Sequence, residues 1–319
     1  FNPKSASREE IHAVSRAFVQ AMHEHIGPDK DIPAPDVYTN GEIMGVMLDE
    51  YEKITGVSAP ATFTGKPISL GGLPGRDTAT AMGGVFVLEA YLEEKKIKPK
   101  GLRVAIHGFG NAGATVATLL YDRGYTIVGI ADSKGSVMSE KGLNPQQFIV
   151  IKNTGQSVRD MYCKGAVCDE KKLLKDAVVL GDANAVLTMD ADILIPAALD
   201  GVITEEVAAK LKAEIVLELA NGPTTATGDL ALEAKGIPVI PDVLANSGGV
   251  TVSYFEWMQG KTGRAMKRNG VNTLLKDYME EAWGNISRIA KEHGVPYRVA
   301  AFVLGADRIL QARRDRGGL

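Results

Sequence analysis

The chain is poor in the residues that build several kinds of protein. It has two cysteines in 319 residues, Cys163 and Cys168. Their C-x4-C spacing matches no common zinc arrangement, and no second pair completes four ligands. A disulfide framework and a metal site are therefore not expected, and the simplest reading is a reduced, cytoplasmic chain. No apolar run approaches the ~20 residues needed to cross a bilayer, so no membrane contact is expected. Charge of one sign is also missing: 36 Lys and Arg against 39 Asp and Glu leave a net -3. That balance offers no electrostatic reason to expect nucleic acid. Short basic clusters such as Lys95-Lys96 and Arg313-Arg314 read as solvated helix faces. No repeat of fixed period is visible. The first residues, FNPKSASREE, lack a signal-peptide pattern and start without methionine, which predicts a processed or incomplete chain.

What is present is ordinary in bulk, 45% apolar and 24% charged, and long enough for about two domains of ~150 residues. One stretch stands out, Arg103 to Asp132. A β-prone run, Arg103 to His107, meets Gly108, Gly110 and Gly113 in G-x-G-x-x-G. A helical pattern from Ala112 to Tyr121 and a second β run from Thr126 lead to Asp132. Strand, glycine turn, helix, strand and acid form the layout of a dinucleotide-binding βαβ unit. Gly108 permits the tight turn, Gly110 keeps side chains away from a pyrophosphate, and Gly113 lets the helix approach the sheet. The first N–H groups of the helix are free to meet an anion. Asp132 stands where a carboxylate accepts hydrogen bonds from an adenosine ribose. The alternative for the glycines is a structural turn. Asp132 should repel a 2′-phosphate and favour NAD, while Ser133 and Lys134 beside it keep NADP admissible.

Elsewhere the spacing predicts a helix within residues 1–27, with Ser5 and Ser7 as caps and Ile11, Val14, Phe18 and Met22 at helical spacing. Asp36 follows two prolines on a stiff loop. Thr39 with Glu42 reads as a capping box, placing a helix from about Asn40 to Thr55. From loop chemistry alone Asp36 is either a turn aspartate or a carboxylate held for proton transfer. A glycine- and proline-rich stretch at 65–76 precedes a helix from Asp77 to about Glu94. Beyond Asp132, apolar runs at 185–187, 193–195, 215–219 and 238–240 alternate with helical segments. This predicts an α/β fold: a Rossmann-like, doubly wound parallel sheet with part of a second domain. Asn221 and Asn246 lie in turns after such runs, as carboxamide-binding residues or as plain turn residues. Helices are expected from Val250, over 271–293 and over 297–315. The domain reading is 1–64 for the remainder of a substrate and oligomerisation domain, 65–285 for the dinucleotide-binding domain, and 286–319 for a C-terminal helix returning to the substrate domain.

Five stretches in one order resemble a known family: PAPDVYTN at 33–40, GGLPGRDTAT at 71–80, GFGNAG at 108–113, ANGPTT at 220–225 and NSGGVTVSYFEW at 246–257. They are similar to the glutamate dehydrogenases, within the wider Glu/Leu/Phe/Val amino-acid dehydrogenases, over nearly the whole chain. The resemblance implies reversible oxidative deamination of L-glutamate to 2-oxoglutarate and ammonia with NAD, NADP being admissible. It implies Asp36 as the catalytic aspartate that moves protons to and from substrate nitrogen and water. Ser253 matches the serine that holds the side-chain carboxylate of glutamate, and Asn246 lines the substrate cleft. Arg76, Thr80, Gly108, Phe109, Gly110, Asn111, Ala112, Gly113, Asp132, Ser133, Asn221 and Asn246 fall where the family binds cofactor. The family usually assembles as hexamers, which implies a homo-oligomer. Two departures stand out. The family's lysine-bearing, glycine-rich segments upstream of the proline–aspartate loop have no counterpart before residue 33, which keeps a non-catalytic dinucleotide-binding fragment as an alternative. Leu73-Pro74 replaces what is usually a small polar residue without proline. A leucine- or phenylalanine-type dehydrogenase is the other alternative, opposed by Ser253.

Overall fold

The computed structural model describes residues 1–36, 38–164, 167–168 and 176–318. The chain divides into two compact units, Phe1–Ala79 with Gly249–Leu275 and Thr80–Gly248 with Lys276–Leu319. The N-terminal unit thus takes in a later segment, and residues 276–319 group with the sheet.

In the first unit, α1 (Arg8–Met22) starts at a reciprocal cap: the Ser7 hydroxyl accepts from Glu10 N, and Glu10 accepts from Ser7 N at 2.7 Å. The predicted apolar face is met in part: Ile11 and Met22 pack against the core and Val19 joins them fully buried, whereas Val14 and Phe18 are exposed. α2 (Gly41–Thr55) is capped by Asn40, whose Oδ1 accepts from Ile43 N at 3.1 Å. The predicted Thr39–Glu42 box does not form, since Glu42 pairs with Arg8 and His12. Thr39 instead bonds back to Asp36. Val19, Ile43, Met44, Leu48, Tyr51 and Phe63 make this unit's core.

The second unit opens with α3 (Ala79–Lys95). β1 (Arg103–His107), α4 (Asn111–Asp122) and β2 (Thr126–Asp132) follow, close to the predicted bounds. β3 (Gly135–Met138), α5 (Pro145–Asn153), a short antiparallel pair β4 (Cys163–Lys164) and β5 (Val167–Cys168), and β6 (Val178–Leu180) come next. The side chains of Cys163 and Cys168, on which the reduced-thiol expectation rests, lie outside the described residues. β7 (Ile193–Pro196), α6 (Glu205–Lys210), β8 (Ile215–Leu217), α7 (Ala226–Ala234), β9 (Val239–Ile240) and α8 (Asp242–Ala245) complete the sheet region. α9 (Gly248–Thr262), α10 (Arg268–His293) and α11 (Tyr297–Asp315) end the chain.

The seven-stranded sheet has the order β6-β3-β2-β1-β7-β8-β9. β2, β1, β7, β8 and β9 run parallel, and β3 and β6 are antiparallel additions at one edge. The sheet is therefore mixed rather than wholly parallel: the tight turn after Asp132 reverses the chain straight into β3 with no crossover helix. The run 185–187 is not a strand but part of a 3-10 turn over Ala183–Thr188, started by Asp182 accepting from Asn184 N. From β1 the chain winds one way through α4 to β2 and later returns on the other side as β7. β1 and β7 thus flank the topological switch point, where ligands of such sheets bind beyond the strand ends.

Candidate active site

At the end of β1, Gly108 has φ +106°, and its N–H donates to Ala131 O at 3.0 Å. A Cβ there would stand 2.6 Å from the Ala198 methyl, in the turn after β7. Gly113 has no more room, since a Cβ would meet Gly108 O at 1.8 Å. Gly110 is the opposite case, exposed and with nothing within 4 Å of a Cβ position. It begins α4 without any side-chain cap, so the first N–H groups of that helix keep no internal partner. A dinucleotide pyrophosphate fits this cradle: close-packed beneath, open above Gly110, and lined by amide donors. Asn111 is exposed and Ala112 half-buried on its rim. Phe109 points the other way, its ring 6.3 Å edge-on from Phe148 in the core, which leaves the backbone of Phe109 for the turn.

Asp132 closes β2 but faces inward. Its Oδ1 accepts from Lys134 N at 3.0 Å, and Oδ2 accepts from Lys152 Nζ and Val158 N, both at 2.9 Å. The residue is 7% exposed, while Ser133 and Lys134 are exposed. The acid predicted to meet a ribose is thus held by the protein's own donors, with Lys152 offsetting its charge.

The two asparagines come together. Asn246 Nδ2 donates to Asn221 Oδ1 at 2.6 Å, joining the turn after β8 to the end of α8. α3, with half-buried Thr80 in its first turn, approaches these turns through two glycines. A Cβ on Gly83 would lie 2.8 Å from Gly248 Cα, and one on Gly84 would lie 2.6 Å from the Leu219 side chain. Paired glycines inside a helix are a readable sign of close approach.

A cluster that the sequence reading missed holds the same turns. Arg298, at the start of α11, donates to Glu218 at 2.8 Å, to Asp229 at 2.6 Å and to Asp242 at 2.9 Å. Glu218 also accepts from the Thr224 hydroxyl and from Asp242 N, and Asp242 accepts from Gly222 N at 2.7 Å. Burial raises the Glu218 pKa above the ordinary carboxylate value, against the Arg298 charge. Burial works against the Arg298 charge too, but the hydrogen bonds it donates to Glu218 and Asp229 outweigh it and hold the guanidinium above its ordinary value. An acid inside the apolar run Ile215–Leu219 was the available signal; nothing in the sequence joined it to residue 298.

The first unit holds the other candidates. Asp36 is exposed and follows Pro33 and Pro35. Its N–H donates to Thr39 Oγ1 at 2.6 Å, and Thr39 N donates back to Asp36 O at 3.0 Å. Tyr38, inside this turn, has φ +61°, a left-handed conformation that costs a non-glycine residue about 1–3 kcal/mol. Arg76 Nε donates to Ser253 Oγ at 2.9 Å, and burial lowers the Arg76 pKa from its ordinary value. The structure therefore joins Arg76 and Ser253, which the sequence had assigned to cofactor and substrate separately.

The chain matches two family models. Residues 71–317 match Glutamate/Leucine/Phenylalanine/Valine dehydrogenase, and residues 1–53 match the Glu/Leu/Phe/Val dehydrogenase dimerisation domain. It is 42% identical to an NADP-specific glutamate dehydrogenase of Synechocystis sp. over 318 residues, covering 99% of this chain and 73% of that protein. It is 39% identical to an NAD-specific glutamate dehydrogenase of Staphylococcus aureus over 316 residues, again 99% and 73%. Among solved structures, a hetero-hexameric glutamate dehydrogenase from Thermus thermophilus superposes with a TM-score of 0.88 at 29% identity, covering 99% and 71% of the two chains. Glutamate dehydrogenase from Peptoniphilus asaccharolyticus gives 0.82 at 31%, covering 100% and 73%.

Proposed function

The chain belongs to the glutamate/leucine/phenylalanine/valine dehydrogenase family, and on that premise we propose that it is an NAD(P)-dependent glutamate dehydrogenase. The reaction is the reversible oxidative deamination of L-glutamate to 2-oxoglutarate and ammonia. The observation that favours glutamate over leucine or phenylalanine is the Arg76–Ser253 hydrogen bond. Arg76 is a guanidinium drawn largely out of water, and among the described residues its one hydrogen bond is to a neutral hydroxyl. A planar cation so placed has donors left for a carboxylate, which glutamate brings and an apolar side chain does not.

The remaining roles follow from chemistry. The glycine turn takes the pyrophosphate, and Asn221 with Asn246 offers amide groups to the carboxamide. When bound, the nicotinamide supplies the hydride acceptor. Asp36, on its stiff loop, moves protons to and from the substrate nitrogen and the attacking water. NAD is the preferred cofactor because Asp132 and its fixed neighbours leave no dedicated 2′-phosphate cradle; Lys152 on Asp132, with Ser133 and Lys134 exposed, keeps NADP admissible. Exposed Val14 and Phe18, within residues matching the dimerisation domain, support a homo-oligomer, and the hexameric relative supports six copies.

The test is a panel of glutamate, leucine and phenylalanine, each with NAD and NADP, read as reduced-nicotinamide formation alongside dinucleotide binding. Glutamate alone should turn over, with tighter binding of NAD. Comparable kcat/KM for leucine or phenylalanine would sink the glutamate assignment. Binding without turnover would leave a non-catalytic dinucleotide-binding protein, and no binding would sink the reading of residues 103–132.

A further inference from the structure

A buried ion pair in the first unit has no part in the roles above. Lys66 Nζ lies 2.6 Å from Glu256 Oε1, with the two side chains 1% and 0% exposed. Lys66 Nζ also donates to Phe63 O. Such a lysine is closed off from substrate, so it is no replacement for a catalytic amine. Its partner does more than neutralise it. Glu256 Oε2 accepts from Gly65 N at 2.9 Å, and Oε1 accepts from Lys66 N at 3.2 Å. The carboxylate therefore pins the backbone of 65–66 to α9.

That backbone carries the Asp36 loop. Thr64 N donates to Pro33 O at 3.1 Å. Gly65, at φ +74°, lies so close to Pro35 that a Cβ would stand 2.6 Å from two atoms of its ring. Two proline-anchored contacts on one pinned segment fix the direction in which the chain enters Asp36. Glu256 also lies three residues after Ser253 on α9, on the same side of the helix. One helix thus presents the serine to Arg76 and the carboxylate to the loop of the proton-transfer group.

We propose that the Lys66–Glu256 pair is a positioning device for Asp36, setting the placement of its carboxylate through residues 63–66 and the Pro33–Pro35 turn. This rests on the reading of Asp36 as the proton-transfer residue. Lys66 has the job of holding the Glu256 carboxylate still in a dry site, so that its oxygens hold the two amides. A displacement of about 1 Å at a reacting group costs on the order of a hundredfold in rate, so loss of the pin should appear in turnover rather than in binding.

The experiment compares D36N, K66M/E256Q and K66M/E256L in the enzyme, with kcat, KM for glutamate and NAD affinity measured for each. Both double variants remove the two charges together, so neither leaves a lone buried ion, and thermal melting checks that both fold. K66M/E256Q keeps one oxygen, which can accept from one of the two N–H groups, and should lose kcat only several-fold. K66M/E256L has no acceptor and should lose kcat by about a hundredfold, with KM and NAD affinity within threefold. Retained kcat in K66M/E256L, with D36N inactive, overturns the positioning role alone. An equal loss in the two folded double variants also overturns it, since the acceptor would then be irrelevant. Full kcat in D36N overturns the reading of Asp36 and this inference with it, an outcome separable from the others.

Discussion

Two ion clusters, one in each unit, solve the same problem differently. Lys66 and Glu256 form a closed one-to-one pair, with both side chains out of water. Arg298 serves three carboxylates, remains 22% exposed, and faces a Glu218 side chain with no exposure at all. The excess negative charge of the second cluster is taken up by backbone donors, Asp242 N on Glu218 and Gly222 N on Asp242. A balanced pair can sit in the dry interior because its charges cancel at contact distance. An unbalanced cluster must stay near water and borrow amides. In both, the carboxylates hold backbone N–H groups of loops that carry candidate site residues, so charge is used to fix loops.

The sharpest way to break the comparison is to remove one member of the closed pair. K66M leaves Glu256 buried without its cation, and should cost about 3–5 kcal/mol of unfolding free energy in a denaturant titration. K66M/E256L should recover only part of that loss, because two apolar side chains can fill the site but leave the N–H groups of residues 65 and 66 without their acceptor. A K66M loss below about 1 kcal/mol would show that the pair is not dry. Removing the cation of the unbalanced cluster should cost less, since Arg298 is partly hydrated. R298M is expected to lose about 2–3 kcal/mol and to weaken NAD binding about tenfold by loosening the 221–225 turn. A variant with unchanged NAD affinity would leave the cluster with a purely structural role.

His107 supplies the smallest effect and the contrasting case, a buried titratable group in no ion pair among the described residues, with Asp182 acting on it only at longer range. It is 4% exposed, and its Nε2 meets Asn184 Oδ1 at 3.1 Å. Burial lowers its pKa below the ordinary 6.5, against the Asn184 hydrogen bond. The folded state thus keeps it neutral while the unfolded chain takes up a proton. Stability from this group is complete above about pH 6.5 and falls as pH drops below that value toward the lowered folded value. The slope is at most about 1.4 kcal/mol per pH unit. H107Q should flatten the decline of Tm between pH 6.5 and 5.5; an unchanged slope would mean other groups set it.

Local requirements were legible in the sequence, and long-range ones were not. Within one βαβ unit Gly108 supplies the positive-φ turn and Gly113 the close approach to Gly108 O, with Gly110 left open between them, so their spacing announced the turn. α11 matched its predicted bounds because Pro296 and a helical pattern bracket it. Thr39 and Asn40 are both competent caps, and the choice fell to Asn40 once Thr39 closed the turn on Asp36. The run 185–187 had a strand's composition, but the Asp182 side chain started a 3-10 turn there. Val14 and Phe18 fit a helical face on paper, yet packing on α2 selected Val19 instead. In the site, Asp36, Asn221 and Asn246 stood in turns that left a structural and a functional reading open, and the family resemblance chose between them. The partners that hold them, Glu256 and Arg298, lie 220 and 52 or more residues away in sequence, which no local pattern encodes.

The placement of Ser253 and Glu256 on one helix restricts how such a protein can change over generations. Sliding or tilting α9 to admit a different side chain at Ser253 would drag the 65–66 segment with it and disturb the Asp36 loop. New specificity is therefore more accessible by exchanging single side chains on a stationary helix than by remodelling the helix. Lineages that diverge in what they accept should differ at position 253 and its immediate surroundings while leaving the residue three positions on untouched.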